Sequence, residues 1–282
     1  MIANACFFFK CRRLLAASLL CAAVSAQAQT ANPGEPAPVH SLTGNLSLVS
    51  DYRFRGLSQS WRQPAVQGGI DYTHASGLYL GNWNSSVSSN SYNNGAGLEV
   101  DLYGGYRFPL TQDLTADAGV LFYLYPGAHL NSAPAQPGGQ KYDNTEIYFG
   151  LARGAFNARL SYAVTDYFGL NSATAGYAYW TPLPARGSSR GTTYLDLNYS
   201  LELGRQFALG LHLGHTAVRR YGELSYTDYK LALTKEAAGF LLGLALVGAR
   251  ADARYYQAGD SAWLHPKPTG RSSLVLSATR SF

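Results

Sequence analysis

The chain has 282 residues, 22 Lys and Arg against 17 Asp and Glu, and only 14 % charged residues beside 21 Tyr and 30 Gly. Its three cysteines (Cys6, Cys11, Cys21) and three of its basic residues all precede residue 29, so the chain from residue 29 onward is cysteine-free and carries a formal charge of about +2. This excludes a disulfide framework, a thiolate metal site and a cysteine nucleophile there, and removes the main support for a nucleic-acid partner.

In chain order, residues 1–28 read as a signal peptide. Lys10, Arg12 and Arg13 form the positive region, Leu14 to Ala26 the apolar run, and Ala26-Gln27-Ala28 the small-x-small cleavage pattern. A spanning helix needs about 20 apolar residues, more than this run holds. Leu20 before Cys21 is not the small residue that lipoprotein processing favours. Residues 29–42 are a Pro-rich stretch without periodicity, expected as a flexible periplasmic leader. The remaining 43–282 is expected to form one all-β unit.

The segment 98–108 shows the governing pattern: Leu98, Val100, Leu102, Gly104, Tyr106 and Phe108 alternate with Glu99, Asp101, Tyr103, Gly105 and Arg107. A period of two places the two sets on opposite faces of a strand. Similar segments run over 43–55, 64–74, 77–88, 97–108, 113–125, 142–153, 156–168, 192–203, 206–218, 226–236, 239–250 and 271–282, an even count of twelve. The connections alternate too. Tight ones fall at Ala75-Ser76, Pro109 to Gln112, Gly154-Ala155, Gly204-Arg205 and Ala237-Ala238. Long polar ones fall at 56–62, 89–96, 126–141, 169–191, 219–225 and 251–270, and residues 175–182 fit either a loop hairpin or an extended eighth strand. Two-faced strands with this short-long rhythm predict an antiparallel, up-and-down transmembrane β-barrel of about 12 strands, its tight turns periplasmic and its long loops outside.

The face assignment fits a lipid exterior and a polar interior. Leu46, Leu48, Val66, Ile70, Leu102, Phe122, Leu160, Leu211, Leu231 and Leu244 are among the residues assigned outward. The inward, lumen-lining candidates are Asp51, Arg53, Asp71, Glu99, Asp101, Arg107 and Asp117 on the first half, and Glu146, Arg159, Asp196, Glu202, Asp228 and Lys230 on the second. With Arg55, the inward acids outnumber the inward bases. Aromatics near strand ends (Tyr52, Phe54, Tyr72, Tyr106, Phe108, Tyr123, Tyr125, Phe156, Tyr167, Phe168, Tyr194, Phe207) are expected at the two membrane interfaces. The competing fold is a secreted β-sandwich whose apolar face is its core, which gives no reason for alternating gap lengths.

The last strand places Leu274, Leu276, Ala278 and the terminal Phe282 on one face. A C-terminal aromatic after an alternating strand resembles the assembly signal read by the bacterial barrel-assembly machinery; Arg280 departs from its apolar version but can snorkel near an interface.

Several phrases together carry a family resemblance. Val49-Ser-Asp-Tyr-Arg-Phe-Arg-Gly-Leu-Ser58, Gly77-Leu-Tyr-Leu-Gly-Asn-Trp83, Tyr125-Pro-Gly127, Asp166-Tyr-Phe-Gly169, Tyr226-Thr-Asp-Tyr-Lys230 and Ser281-Phe282 occur in this order. They resemble the TorF-type porin family of bacterial outer-membrane proteins, over nearly the whole chain after the signal. The resemblance implies an outer-membrane barrel with a porin role and brings no catalytic residues.

Catalytic and metal readings find little footing. A lipid hydrolase needs a Ser activated by a neighbouring His; His212 and His215 with Ser161 or Ser200 are candidates, but no Gly-x-Ser-x-Gly phrase occurs. His212 and His215 are three apart on a strand and face opposite ways, so they do not share a metal ion. Gly68-Gly69 and Gly104-Gly105 lie inside strands, where glycine permits bends or close packing. The expectation is therefore no enzyme and no cofactor, with outer-membrane lipids, the assembly machinery and small polar solutes as partners. Three functions stay open: a passive channel with mild cation preference, a non-conducting structural or adhesive barrel acting through its loops, and a lipid-modifying enzyme. Twelve strands enclose less space than the 16–18 of open porins, so a plugged interior is compatible with the pattern.

Overall fold

The computed structural model describes residues 38–91, 96–130, 139–176, 183–258 and 265–282. The signal expected at 1–28, most of the leader and residues 177–182 of the ambiguous stretch lie outside these.

Twelve strands follow one another around a closed antiparallel barrel. They are β1 (His40–Val49), β2 (Ala65–His74), β3 (Leu78–Ser86), β4 (Leu98–Pro109), β5 (Leu114–Leu124) and β6 (Asn144–Arg153). The second half comprises β7 (Phe156–Ala163), β8 (Thr193–Gly204), β9 (Phe207–Ala217), β10 (Tyr226–Ala237), β11 (Phe240–Arg250) and β12 (Ser273–Ser281). The ring closes where β1 pairs with β12, from Asn45↔Ser281 to Val49↔Ser277. Closure satisfies every strand edge, which an open sheet of this length would leave exposed.

All twelve expected strands are present, with two instructive differences. β1 starts at His40 rather than 43 and stops at Val49 rather than 55, because the chain beyond Ser50 leaves the wall and enters the barrel. The seventh strand stops at Ala163 rather than 168, giving way to a 3₁₀ turn at Tyr167–Gly169. The tight end is built by short turns such as Ala238-Gly239, where both residues have positive φ (52° and 78°), the two-residue geometry that matches strand twist.

The outward face is a belt of exposed aliphatic side chains around the ring. Leu48, Val66, Leu80, Leu160, Leu213 and Leu276 are each more than half exposed. A soluble protein rarely leaves so continuous an apolar surface to water; a bilayer covers it. At the tight end Phe282 continues the seam, its N–H donating to Gly44 O at 2.9 Å while the Gly44 N–H donates to Phe282 O at 2.7 Å. A Cβ on Gly44 would lie 2.6 Å from the Phe282 ring, so the terminal ring needs a glycine beneath it.

Inside, four tyrosines lie flat against the wall over glycines of neighbouring strands. A Cβ on Gly81 would meet the Tyr103 ring, one on Gly105 the Tyr79 hydroxyl, one on Gly119 the Tyr148 hydroxyl, and one on Gly214 the Tyr194 hydroxyl. The glycines thus let large side chains spread along the wall instead of projecting toward the axis.

The interior corrects one expectation. Of the aromatics assigned to the membrane interfaces, Tyr52, Tyr123, Tyr125, Tyr167, Phe168 and Tyr194 are buried inside the barrel or under its loops. Tyr123 and Tyr194 occupy inward positions, and the others sit on segments that fold inward at the loop end. Tyr106 and Phe156 are exposed on the outer face as expected.

Candidate functional site

The loop after β1 holds the centre of the barrel. Ser50 prolongs the seam, its N–H donating to Leu276 O at 2.9 Å. The chain then turns inward into a small hairpin in which Arg53 pairs with Ser58 and Phe54 with Leu57. Its two-residue tip, Arg55-Gly56, has both φ angles positive (47° and 78°). Such a turn asks for glycine at both places, and Arg55 adopts a conformation that L side chains rarely take. Strain of this kind persists where the surroundings enforce it.

Asp51 organises the base of the hairpin. It accepts from Arg53 Nε at 2.6 Å and from the Ser58 and Ser60 hydroxyls at 2.7 Å and 3.2 Å. Arg53 also donates through Nη1 to the carbonyls of Gly56 (3.1 Å), Thr269 (2.9 Å) and Arg271 (3.0 Å), tying the hairpin to the segment entering β12. Arg62 donates to Pro268 O, and Trp61 Nε1 to Ala258 O at 3.2 Å.

At the tip, Arg55 crosses the barrel. Its Nη2 donates to Glu146 Oε2 on β6 at 2.6 Å, and its Cζ stacks 3.9 Å from the Tyr194 ring on β8. The Tyr123 and Tyr167 hydroxyls lie 3.4 Å and 3.5 Å from its terminal nitrogens. In a twelve-strand ring, β6 and β8 flank the position opposite β1, so the hairpin spans the lumen. Phe168 packs over it from the turn after β7, with ring centroids 5.9 Å from Phe54 and 5.7 Å from Tyr123. A cavity of about 50 Å³ remains between hairpin and outer loops, bordered by Phe54, Gln59, Tyr142, Tyr167, Tyr226 and Tyr256; it has room for a few waters.

The inward charges divide by depth. At the loop end Asp51, Arg53, Glu99, Asp101, Glu146, Asp196 and Asp228 are buried. Glu99 accepts from the Tyr52 hydroxyl at 2.9 Å, whereas neither carboxylate oxygen of Asp101 has a hydrogen-bond partner among the described residues. Around β7–β10, His212 sits between two carboxylates, Nδ1 at 3.1 Å from Asp196 Oδ1 and Nε2 at 2.7 Å from Asp228 Oδ1. Arg159 reaches the other Asp196 oxygen at 3.5 Å, and Lys230 faces His212 in register. Toward the tight end the same face is reached by solvent. Asp71, which accepts from Tyr103 at 2.5 Å, is partly exposed. Arg107 pairs with Asp117 at 3.3 Å, and Glu202 is exposed.

The catalytic candidates are not brought together. Neither Ser161 nor Ser200 is among the polar partners of His212, which among the described residues are Tyr194, Asp196, Asn198 and Asp228. His215 points outward to Thr227 Oγ1 at 2.9 Å. Among the described residues no three His, Cys, Asp or Glu side chains are grouped to hold a metal ion.

Four of the six phrases that carried the resemblance converge on this region: 49–58 contains the hairpin, 166–169 delivers Phe168, Tyr125 lies beneath the loops, and 226–230 contributes Tyr226 and Asp228, whereas Ser281-Phe282 lies at the tight end. A family model described as "Bacterial protein of unknown function (Gcw_chp)" matches residues 33–282. The chain belongs to the Gcw_chp family. Comparison with the curated proteins gives no match. Among solved structures, this Gcw_chp chain is similar to a KdgM porin, at 8 % identity and TM-score 0.48 over 85 % of this chain and 99 % of that one. It is also similar to a NanC porin, at 10 % identity and TM-score 0.47 over 85 % and 98 %. An outer membrane channel from Pseudomonas putida F1 matches at 14 % identity and TM-score 0.44 over 89 % and 99 %.

Proposed function

We propose that this chain is an outer-membrane channel for small polar solutes, closed at its loop end by the Arg55 hairpin. One observation carries the reading. The hairpin crosses the loop half of the interior with Phe168 packed over it, while wall side chains in the tight half lie flat and leave charged groups in contact with water. Withdrawing residues 52–59 would join the two halves into one path. In this reading residues 1–28 direct export, the tight turns face the periplasm, Phe282 serves assembly, and the chain is a porin of the TorF type. The inward acids give the path a cation preference.

Single-channel recording in planar bilayers tests it. The intact barrel is expected to be mostly closed, and a chain lacking residues 52–59 to show steady cation-preferring conductance. A folded, inserted barrel that stays silent in both forms would refute the channel.

A second reading, a non-conducting barrel whose loops bind a partner, is favoured by the interlocked loop end. There Arg53 and Arg62 hold the 265–271 segment and the Tyr221 hydroxyl donates to Gly187 O at 2.8 Å. It predicts a phenotype lost on loop exchange and indifferent to Asp101→Asn.

A further inference from the structure

The surroundings of Arg55 are built for a guanidinium but are supplied almost entirely by other parts of the chain. Glu146 comes from β6, Tyr123 from β5, Tyr194 from β8 and Tyr167 from the turn after β7. The hairpin adds the Phe54 ring at 4.8 Å. A carboxylate for the fork, a ring face for the plane and two hydroxyls for the remaining N–H groups match the way a planar guanidinium binds. Arg55 is delivered there by a strained turn, so the tip is conformed to its destination.

Once Arg55 is set aside the side chains beside Glu146 are acidic, and the His212 imidazole that reaches the Tyr194 hydroxyl at 3.2 Å is already held between Asp196 and Asp228. Glu146, Glu99 and Asp101 are all buried, and Asp101 lies within electrostatic reach of Glu99, Glu146 and Arg55. Neither oxygen of Asp101 is hydrogen-bonded among the described residues. Buried carboxylates left without a cation are strongly disfavoured. A cation that displaces Arg55 keeps Glu146 paired where a neutral molecule would not, and the flat cage selects a forked cation over a compact one.

We propose that the Glu146–Tyr194 cage is a binding site for a guanidinium-bearing solute and that Arg55 is its internal occupant, released when the solute takes its place. This rests on the channel reading for the solute's route and for what release achieves, and it names the solute class.

Calorimetry on the detergent-folded barrel tests binding apart from conduction. Methylguanidinium is the probe, with methylammonium as a compact cation and N-methylurea as a neutral isostere. Arg55→Ala is expected to bind methylguanidinium about tenfold or more tightly than the unmodified chain does, and more tightly than it binds methylammonium. N-methylurea should give no heat, and adding Glu146→Gln should abolish the binding. Equal binding of methylguanidinium and N-methylurea, or binding unchanged by Glu146→Gln, overturns the proposal. Should Arg55→Ala not fold, Arg55→Gln serves in its place, and methylguanidinium should raise the open probability of the unmodified barrel where N-methylurea does not. A barrel that binds methylguanidinium through Glu146 without conducting supports the cage and refutes the channel. One that conducts but does not bind refutes the cage alone.

Discussion

Gly56, at the tip of the inner hairpin, touches Gly248 on β11: a Cβ added to Gly56 would lie 2.5 Å from the Gly248 carbonyl oxygen and 2.7 Å from Asp228 Cβ. The hairpin tip therefore meets the adjacent β10–β11 wall, backbone to backbone at Gly248, while Arg55 reaches across to the opposite side. Contact at this range leaves no room for any side chain, and the φ of 78° disfavours one independently.

Gly56→Ala is accordingly expected to unseat the tip while leaving the wall intact. The strain and the clash together cost about 1–3 kcal/mol. In bilayer recordings the variant should spend more time open than the unmodified barrel, and limited proteolysis should cut within 53–58. A variant as closed and as resistant as the parent would contradict the seated hairpin.

Asp228→Ala should be among the most destabilising changes in the barrel. It removes one of the two carboxylates that bracket His212 and the acceptor at 3.3 Å from the Tyr194 hydroxyl, all in buried surroundings. Breaking a buried ion network costs about 3–5 kcal/mol. Urea unfolding in lipid vesicles measures it, and a loss below about 1 kcal/mol would mean that His212 is uncharged and loosely held.

Leu231→Arg and Glu202→Gln separate the two faces. Leu231 is exposed in the outer belt at mid-strand, where an arginine costs about 2–4 kcal/mol in lipid. Glu202 is exposed near the tight end of the inner face, so Glu202→Gln should change stability by less than about 0.5 kcal/mol while weakening cation preference. Equal costs in the same unfolding assay would contradict the lipid belt.

Phe282→Ala should leave the finished barrel folded but slow its formation. The ring packs on Gly44 and is largely exposed, so little buried area is lost. Pulse-labelling of outer-membrane insertion in cells, compared with refolding into detergent, distinguishes an assembly role from a stability role.

The wall was legible in the sequence because alternation has a fixed period and closure needs an even count. Leu98 to Phe108 alone displays both faces, and the gap lengths order the strands. The plug was not. Asp51 and Arg53 keep the inward parity of β1, so nothing local announces that the strand ends at Val49 and that Arg55 leaves for the far wall. The signal was present in another form: the phrase 49–58 is too rich in specific polar residues for a strand terminus. Asn82 and Asn84 show a second limit. On β3 they share the outward face with the exposed Leu80, a place where period-two reading expects apolar residues. They satisfy one another and donate to the carbonyls of Asp101 (3.1 Å) and Gly68 (3.5 Å), compensation that depends on register and not on sequence pattern.

The hydrogen bonds from Arg53 to the carbonyls of Thr269 and Arg271 join chain positions 216 and 218 residues apart. Neither partner is in place until β12 has come around to meet β1. The hairpin therefore acts as a clasp that can fasten only a completed ring. An unfinished barrel would leave the arginine tip without its wall partners, and the last step of folding would at once close the wall and seat the segment inside it.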